Sequence, residues 1–325
     1  MQTENNIQPE SFLEGEERKG YFVSHEMKKV WAVQIELLIK LLDVCKKHHL
    51  NIWAEGGTLL GTVREHGYIP WDDDIDMAML RPDYDKLIAI AKDEFQAPYF
   101  FQCGYTEDKY PRGHAQLRKD GTAAILPLSV NQIFHQGIFI DIFVYDSVPD
   151  KQEDIDNLYK KCLLIEKLRA YCYKPYSIYN FRENYKLYKL RKEIDKVGFQ
   201  NLFAQYDGYL KSYENIECKH VSLIGFTFDF EHYLRDKHVF DSTIYMPFEY
   251  IMMPVPIGYD EILSTQYGEY MKPVKAPTMH GGFAVLDTEK SYKEYLPELQ
   301  RKFKKEIRKK RIMRLFNKFN LKSYK

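Results

Sequence analysis

The chain has 325 residues, 45% hydrophobic and 29% charged, with 47 Lys/Arg set against 47 Asp/Glu. These values describe a globular protein with one large core and room for an added lobe, and the absence of any run of eighteen apolar residues excludes a membrane-spanning helix. The neutral total hides an asymmetry: residues 301–325 carry twelve Lys/Arg and one acid, a net of +11, on a body of net −11. The five cysteines (45, 103, 162, 172 and 218) are odd in number and show no Cys-x-x-Cys spacing. They read as reduced packing residues rather than a zinc site. The first residues, Met-Gln-Thr-Glu-Asn-Asn, have neither the basic nor the apolar part of a signal peptide, so a cytoplasmic location is expected.

In chain order, residues 1–20 are polar and predict loosely ordered chain. Across residues 27–49, Trp31, Ile35, Leu38, Leu41, Leu42 and Cys45 recur at helical spacing. A short strand follows at 51–55, then a turn at Gly56-Gly57 and a helix over 58–65 closed by Gly67. Residues 75–80 alternate as a second strand, and Arg81-Pro82-Asp83 opens a helix to about Phe95, with proline at a tolerated first-turn position. Strands are predicted on either side of a turn at Asp120-Gly121 and over 137–144, an apolar run interrupted only by Asp141. Residues 151–213 are helical in pattern, and 220–260 return to short strands. A helix is predicted over 259–271, then a loop to Gly282, then a basic helix over 290–320. The pattern predicts an α+β fold in four parts: a core over 21–150, a helical lobe over 151–219, the rest of the core over 220–290, and a basic tail over 291–325.

Two adjoining stretches carry most of the chemistry: Ala54-Glu-Gly-Gly-Thr-Leu-Leu-Gly-Thr-Val-Arg64 and Tyr68-Ile-Pro-Trp-Asp-Asp-Asp-Ile-Asp-Met-Ala78. Four aspartates within five residues repel one another and call for a cation. On a strand, Asp74 and Asp76 share a face; Asp72 has the same parity, and Asp73 points away. Asp141, alone in an apolar strand, is the natural third ligand, because a buried carboxylate needs a cation or several hydrogen bonds. Carboxylate oxygens suit Mg²⁺, with Mn²⁺ as an alternative. Gly56 and Gly57 let backbone N–H groups at a helix start approach a phosphate, and Thr58 adds a hydroxyl. The run is open to two other readings, a solvated acidic loop or the Asp-x-Asp of a sugar-nucleotide glycosyltransferase. An EF-hand is disfavoured, since a loop starting at Asp72 would place Met77 where glycine is needed and Asp83 where glutamate is.

Further candidates for substrate contact are Arg64, Arg118 as a bidentate phosphate clamp, Trp71 beside Tyr68 for cation–π contact, and His280 in a glycine-flanked loop. Each has a structural alternative: ion pairing, core packing or simple solvent exposure.

The stretch from Glu55 to Arg64, followed by Ile69-Pro-Trp-Asp-Asp-Asp-Ile-Asp76, resembles the LicD family, phosphocholine transferases related to fukutin and fukutin-related protein. Gly137-Ile-Phe-Ile-Asp-Ile-Phe143 resembles that family's next strand. Phe248-Glu249, Val255-Pro256 and Tyr267-Gly-Glu-Tyr-Met271, ending at His280, resemble its C-terminal signature. The resemblance implies a nucleotidyltransferase-like fold, a mixed sheet flanked by helices, with Asp74, Asp76 and Asp141 as metal carboxylates. It also implies a CDP-alcohol donor, CDP-choline first, and a glycan or lipid-linked glycan acceptor in teichoic acid, capsule or lipopolysaccharide. The chain departs from the family pattern at Ala276-Pro277 and His280-Gly281, which bears on the alcohol more than on the chemistry.

Two other functions fit the residues: nucleotidyl transfer, and a non-catalytic glycan-binding scaffold. In the tail, Phe303, Ile307, Ile312, Leu315, Phe316 and Phe319 lie near one face among the cations. This is the pattern of a helix attracted to an anionic membrane surface. Nucleic-acid binding, or docking on the acidic body, is the competing reading, and the expected location is the inner face of the cell membrane.

Overall fold

The computed structural model describes residues 8–176, 180–226, 232–274 and 282–320. Its first large element is helix α1 (His25–Lys47), capped by the Ser24 hydroxyl, which accepts from the Met27 N–H. Trp31, Ile35, Leu38 and Leu41 form its buried stripe. A hairpin of β1 (Glu16–Arg18) and β2 (Tyr21–Val23) precedes it, where polar composition predicts loose chain. Charges rather than apolar alternation hold this hairpin. Lys28 of α1 donates to Glu16, and Arg18 donates to both oxygens of Glu249 at 2.5 and 2.8 Å.

The chain then runs through β3 (Trp53–Ala54), α2 (Gly56–Glu65), β4 (Asp76–Leu80), α3 (Arg81–Glu94), β5 (Tyr99–Gln102), β6 (Ala115–Lys119), β7 (Ala123–Ile125) and β8 (Phe139–Val148). Helix α2 closes at His66, which takes the left-handed conformation, so Gly67 does not end it. Gly67 is small for another reason: a Cβ there would lie 2.2 Å from Glu249 Oε1.

Strand β8 is buried along its whole length and organises a seven-stranded mixed sheet. Strand β4 runs parallel along one edge, from Asp76 beside Asp141 to Leu80 beside Tyr145. The other edge is shared antiparallel by β6, beside residues 139–142, and β9 (His220–Ser222), beside residues 146–148. Strands β3, β5 and β10 (Arg235–Asp236) complete the sheet. Strand β5 has no signal in the sequence reading, being four residues long and without alternation. The result is the mixed sheet flanked by helices that the resemblance implies.

Helices α4 (Gln152–Cys162), α5 (Leu164–Tyr173), α6 (Phe181–Val197) and α7 (Phe199–Leu210) enclose an apolar cluster of their own, including Leu158, Ile165, Leu168, Ile194 and Phe203. Buried Arg81 ties this cluster to the sheet, donating to Asp146 of β8 at 2.6 Å and to Asp207 of α7 at 3.1 Å. Strands β11 (Thr243–Phe248) and β12 (Ile251–Pro256) form a separate hairpin, followed by α8 (Tyr259–Tyr267) and β13 (Val285–Asp287), which pairs with β7. Helix α9 (Tyr292–Asn320) packs its first turns, through Tyr292, Tyr295, Leu296 and Leu299, against β7. Beyond them Arg301, Lys302, Lys304, Lys305, Arg308 and Lys309 are exposed. Ile307 is half-buried, and the side chains of Ile312, Leu315, Phe316 and Phe319 lie outside those described. Among the described residues no helix is long and apolar enough to cross a membrane. The cysteines are free thiols, four of them buried.

Candidate active site

The N-terminus of α2 faces the acidic run. Gly56 adopts φ +52°, which L side chains rarely take. A Cβ on Gly56 would lie 3.5 Å from Asp76 Oδ2, and one on Gly57 would lie 2.8 Å from Asp72 Oδ2. The glycine pair therefore lets two carboxylates close on the positive end of the helix. Thr58 is buried, and its hydroxyl accepts from the Asp76 N–H at 2.8 Å. The Glu55 N–H donates to the Asp76 carbonyl at 3.0 Å. The Thr58 hydroxyl, expected at a phosphate, thus locks α2 to β4.

Strand β4 begins only at Asp76, so residues 72–75 reach the sheet as a loop. Strand parity does not extend to them, and Asp73 does not turn away. Asp72, Asp73 and Asp74 each offer an oxygen, and the three oxygens lie within 4.8 Å of one another, with Asp73 buried. Helix α1 holds this loop by its carbonyls: Trp31 Nε1 donates to Asp72 at 3.1 Å and Gln34 Nε2 to Asp73 at 2.7 Å.

Strand register then builds a polar row across four strands. Asp76 of β4 is beside Asp141 of β8, Asp141 beside Gln116 of β6, and Gln116 beside Gln102 of β5. Lateral neighbours share a face of the sheet, so all four side chains point the same way. Gln116 Nε2 donates to Asp141 Oδ1 at 2.8 Å. Its own Oε1 accepts from the Tyr110 hydroxyl at 2.7 Å and from Arg118 Nη2 at 2.5 Å, which fixes which way the amide faces. Buried His114, two residues before Gln116, brings Nε2 to 3.2 Å from Asp141 Oδ1. Among the described residues neither ring nitrogen has a partner with hydrogen-bond geometry. Burial pushes the ring below its ordinary value, against the opposing effect of Asp141.

Asp76 keeps some solvent access, yet desolvation, then the charges of Asp74, Asp141, Asp72 and Glu55, push its carboxyl well above the ordinary range. Glu55 is itself buried and raised by desolvation, with Arg235 and a hydrogen bond from the Tyr145 hydroxyl (2.8 Å) opposing the shift. Carboxylate oxygens converge here in an environment that disfavours their combined negative charge. Such a donor set fits a hard divalent cation.

Residues 49–162, which contain α2, the acidic run and Asp141, match the LicD/FKTN/FKRP nucleotidyltransferase domain. The chain carries a LicD-family domain. Over 76% of its length it is 27% identical to the lipopolysaccharide cholinephosphotransferase LicD of Haemophilus influenzae, covering 93% of that protein. It is also 30% identical, over 42% of its length, to an uncharacterized protein of Rickettsia prowazekii, of which it covers 47%.

Within this LicD-type site, Asp76 and Asp141 are register neighbours, and Asp74 comes close enough to act on Asp76. Arg118 lies on the same face but is buried. It donates to the Gly137 carbonyl at 2.6 Å and to Gln102 and Gln116, and Gln116 links it to Asp141. Arg64 donates to Glu65 at 2.7 Å and to the Tyr270 carbonyl at 2.9 Å, pinning α2 to the segment after α8. Tyr68 is buried and stacked on Trp31 with centroids 4.3 Å apart, while half-buried Trp71 meets Tyr21 edge to face. His280 lies outside the described residues. Sequence reading missed Gln116, His114, Arg112, Glu55, Trp31 and Gln34 as parts of the site. Each but Arg112 stood within a stretch it had read as helix, strand or motif, and nothing marked them as site residues.

Asp76→Asn keeps the side-chain volume and removes the ionisable group. The metal-free variant is expected to be at least as stable as wild type. Mg²⁺ at about a hundred times its Kd should stabilise wild type by about 2.7 kcal/mol and the variant far less. Scanning calorimetry checks both, and a weakened variant with an unchanged response to Mg²⁺ contradicts the assignment.

Proposed function

We propose that this protein transfers a phospho-alcohol, phosphocholine from CDP-choline, to a glycan hydroxyl and releases CMP. The observation carrying this reading is the Asp76–Asp141 pair set in register beside the glycine-flanked start of α2. Charge-neutralising groups there meet helix N–H donors, as phosphoryl transfer requires. The cholinephosphotransferase relative, matched over most of both chains, supports phosphocholine as the cargo and a lipopolysaccharide precursor as acceptor. Teichoic acid and capsule are the other acceptors of this class.

In this mechanism Asp74, Asp76 and Asp141 would hold Mg²⁺ or Mn²⁺, whose charge would offset that of the diphosphate and lower the pKa of the attacking hydroxyl. The α2 N-terminus, opened by Gly56 and Gly57, receives a donor phosphate. Gln116 fixes Asp141, which takes the hydroxyl proton. The acceptor oxygen forms a bond to the distal phosphorus, and the bond from that phosphorus to the bridging oxygen breaks, so CMP leaves. Residues 21–150 and 220–290 make up the catalytic unit in this reading, with 151–219 as a lobe and 291–325 as a tail.

³¹P NMR of protein, Mg²⁺, CDP-choline and acceptor tests it directly. CMP and a phosphodiester are expected. Free phosphocholine, with CMP carried to the acceptor, would assign nucleotidyl transfer instead, and no metal-dependent binding of CDP-choline, CDP-ribitol or CDP-glycerol would leave a scaffold.

The exposed cations of α9 support docking on an anionic membrane surface, each worth about 1 kcal/mol near the lipid. Deleting residues 301–325 should abolish co-sedimentation with phosphatidylglycerol vesicles and spare CMP release with a water-soluble acceptor. Undiminished co-sedimentation rejects the docking.

A further inference from the structure

The segment leading into β6, Tyr110-Pro-Arg-Gly-His114, runs beside Asp141 on the side away from β4. Its two ends are fixed there, His114 by its 3.2 Å approach to Asp141 and Tyr110 by its bond to Gln116. Gly113 lets the backbone pass close to the lobe, since a Cβ would lie 2.2 Å from the Gly225 carbonyl oxygen and 2.7 Å from the Tyr206 hydroxyl. From α5, Arg169 Nε reaches the Pro111 carbonyl at 3.4 Å. Arg112 is thus carried on a segment anchored from both sides.

The other arginines around the acids are already committed. Arg118 is buried in hydrogen bonds, Arg64 is held by Glu65 and Tyr270, and Arg81 is held by Asp146 and Asp207. Arg112 is half-buried, with Cζ 5.9 Å from the Tyr110 ring centroid, and it interacts with the Tyr173 hydroxyl. Among the described residues no carboxylate lies within ion-pair distance of it. Beside it, among the described residues, the buried Nδ1 of His114 has no partner and Nε2 has only the off-geometry approach of Asp141, so this edge of the site has unused hydrogen-bonding capacity.

We propose that Arg112 is a second phosphate-binding position, holding a donor phosphate oxygen across the carboxylates from the α2 N-terminus. The inference rests on the phospho-alcohol transfer reading. A donor diphosphate presents two charged phosphates, and the helix start provides for one of them. A guanidinium on the opposite side, able to make charge-assisted bonds, provides for the other.

Arg112→Met and Arg112→Lys test it by calorimetric titration of CDP-choline with Mg²⁺, alongside CMP-release kinetics and melting temperatures. Arg112→Met is expected to raise the CDP-choline Kd and KM by about tenfold or more, the loss of a charge-assisted bond. Arg112→Lys should recover part of that loss as a point charge. Both should keep the wild-type melting temperature and response to Mg²⁺. CDP-choline binding by Arg112→Met within twofold of wild type, or a rise confined to the acceptor KM, overturns the proposal while leaving the transfer reading intact. Wild-type protein that neither binds CDP-choline nor releases CMP rejects both.

Discussion

Two carboxylates on adjacent parallel strands, Asp76 and Asp141, repel each other, and the surrounding structure is arranged about that repulsion. Strands lie about 4.8 Å apart, so at an effective dielectric of 20 two such charges cost on the order of 3 kcal/mol, before Asp72 and Asp74 add theirs. The fold opposes this with oriented donors. The α2 N-terminus is brought against Asp72 and Asp76 by two glycines, and Gln116 donates to Asp141. Burial first, and then the repulsion these donors leave uncompensated, raises the carboxyl of Asp76. That residual demand for positive charge, which an ordinary acidic surface lacks, is what a bound cation would meet.

The supporting layer is built for rigidity. Trp31 and Gln34 grip the backbone of the acidic loop, Thr58 ties α2 to β4, and Tyr110 with Arg118 sets the orientation of Gln116. Arg118 therefore acts on Asp141 at one remove. Being fully enclosed, it contributes orientation where an exposed arginine would contribute contact with substrate.

Much of this was legible in the sequence, and the limits have physical causes. A lone aspartate in an apolar strand pointed to Asp141, and the glycine pair before a helix pointed to the α2 N-terminus. Strand alternation placed Arg118 on a face of the sheet, and register puts it on the face of the polar row. Its depth depended on the pairing of β5, β6 and β8, which no local pattern records. Parity misjudged Asp73 because the strand starts at Asp76 and the preceding residues follow loop geometry. Arg112 lies in a Pro/Gly-interrupted connection with no periodicity to read, and His114, at the start of a predicted strand, carried no mark of a site residue. The β1–β2 hairpin escaped notice because ion pairs to Lys28 and Glu249 hold it in place of an apolar stripe.

The central claim is that one divalent cation is shared between Asp76 and Asp141. Anomalous diffraction from crystals soaked in Mn²⁺ and CDP-choline tests it most directly. The account predicts a manganese peak bonded to oxygens of both aspartates, with the donor diphosphate beside it. A peak held by Asp72, Asp73 and Asp74 alone, or no peak at all, would contradict it.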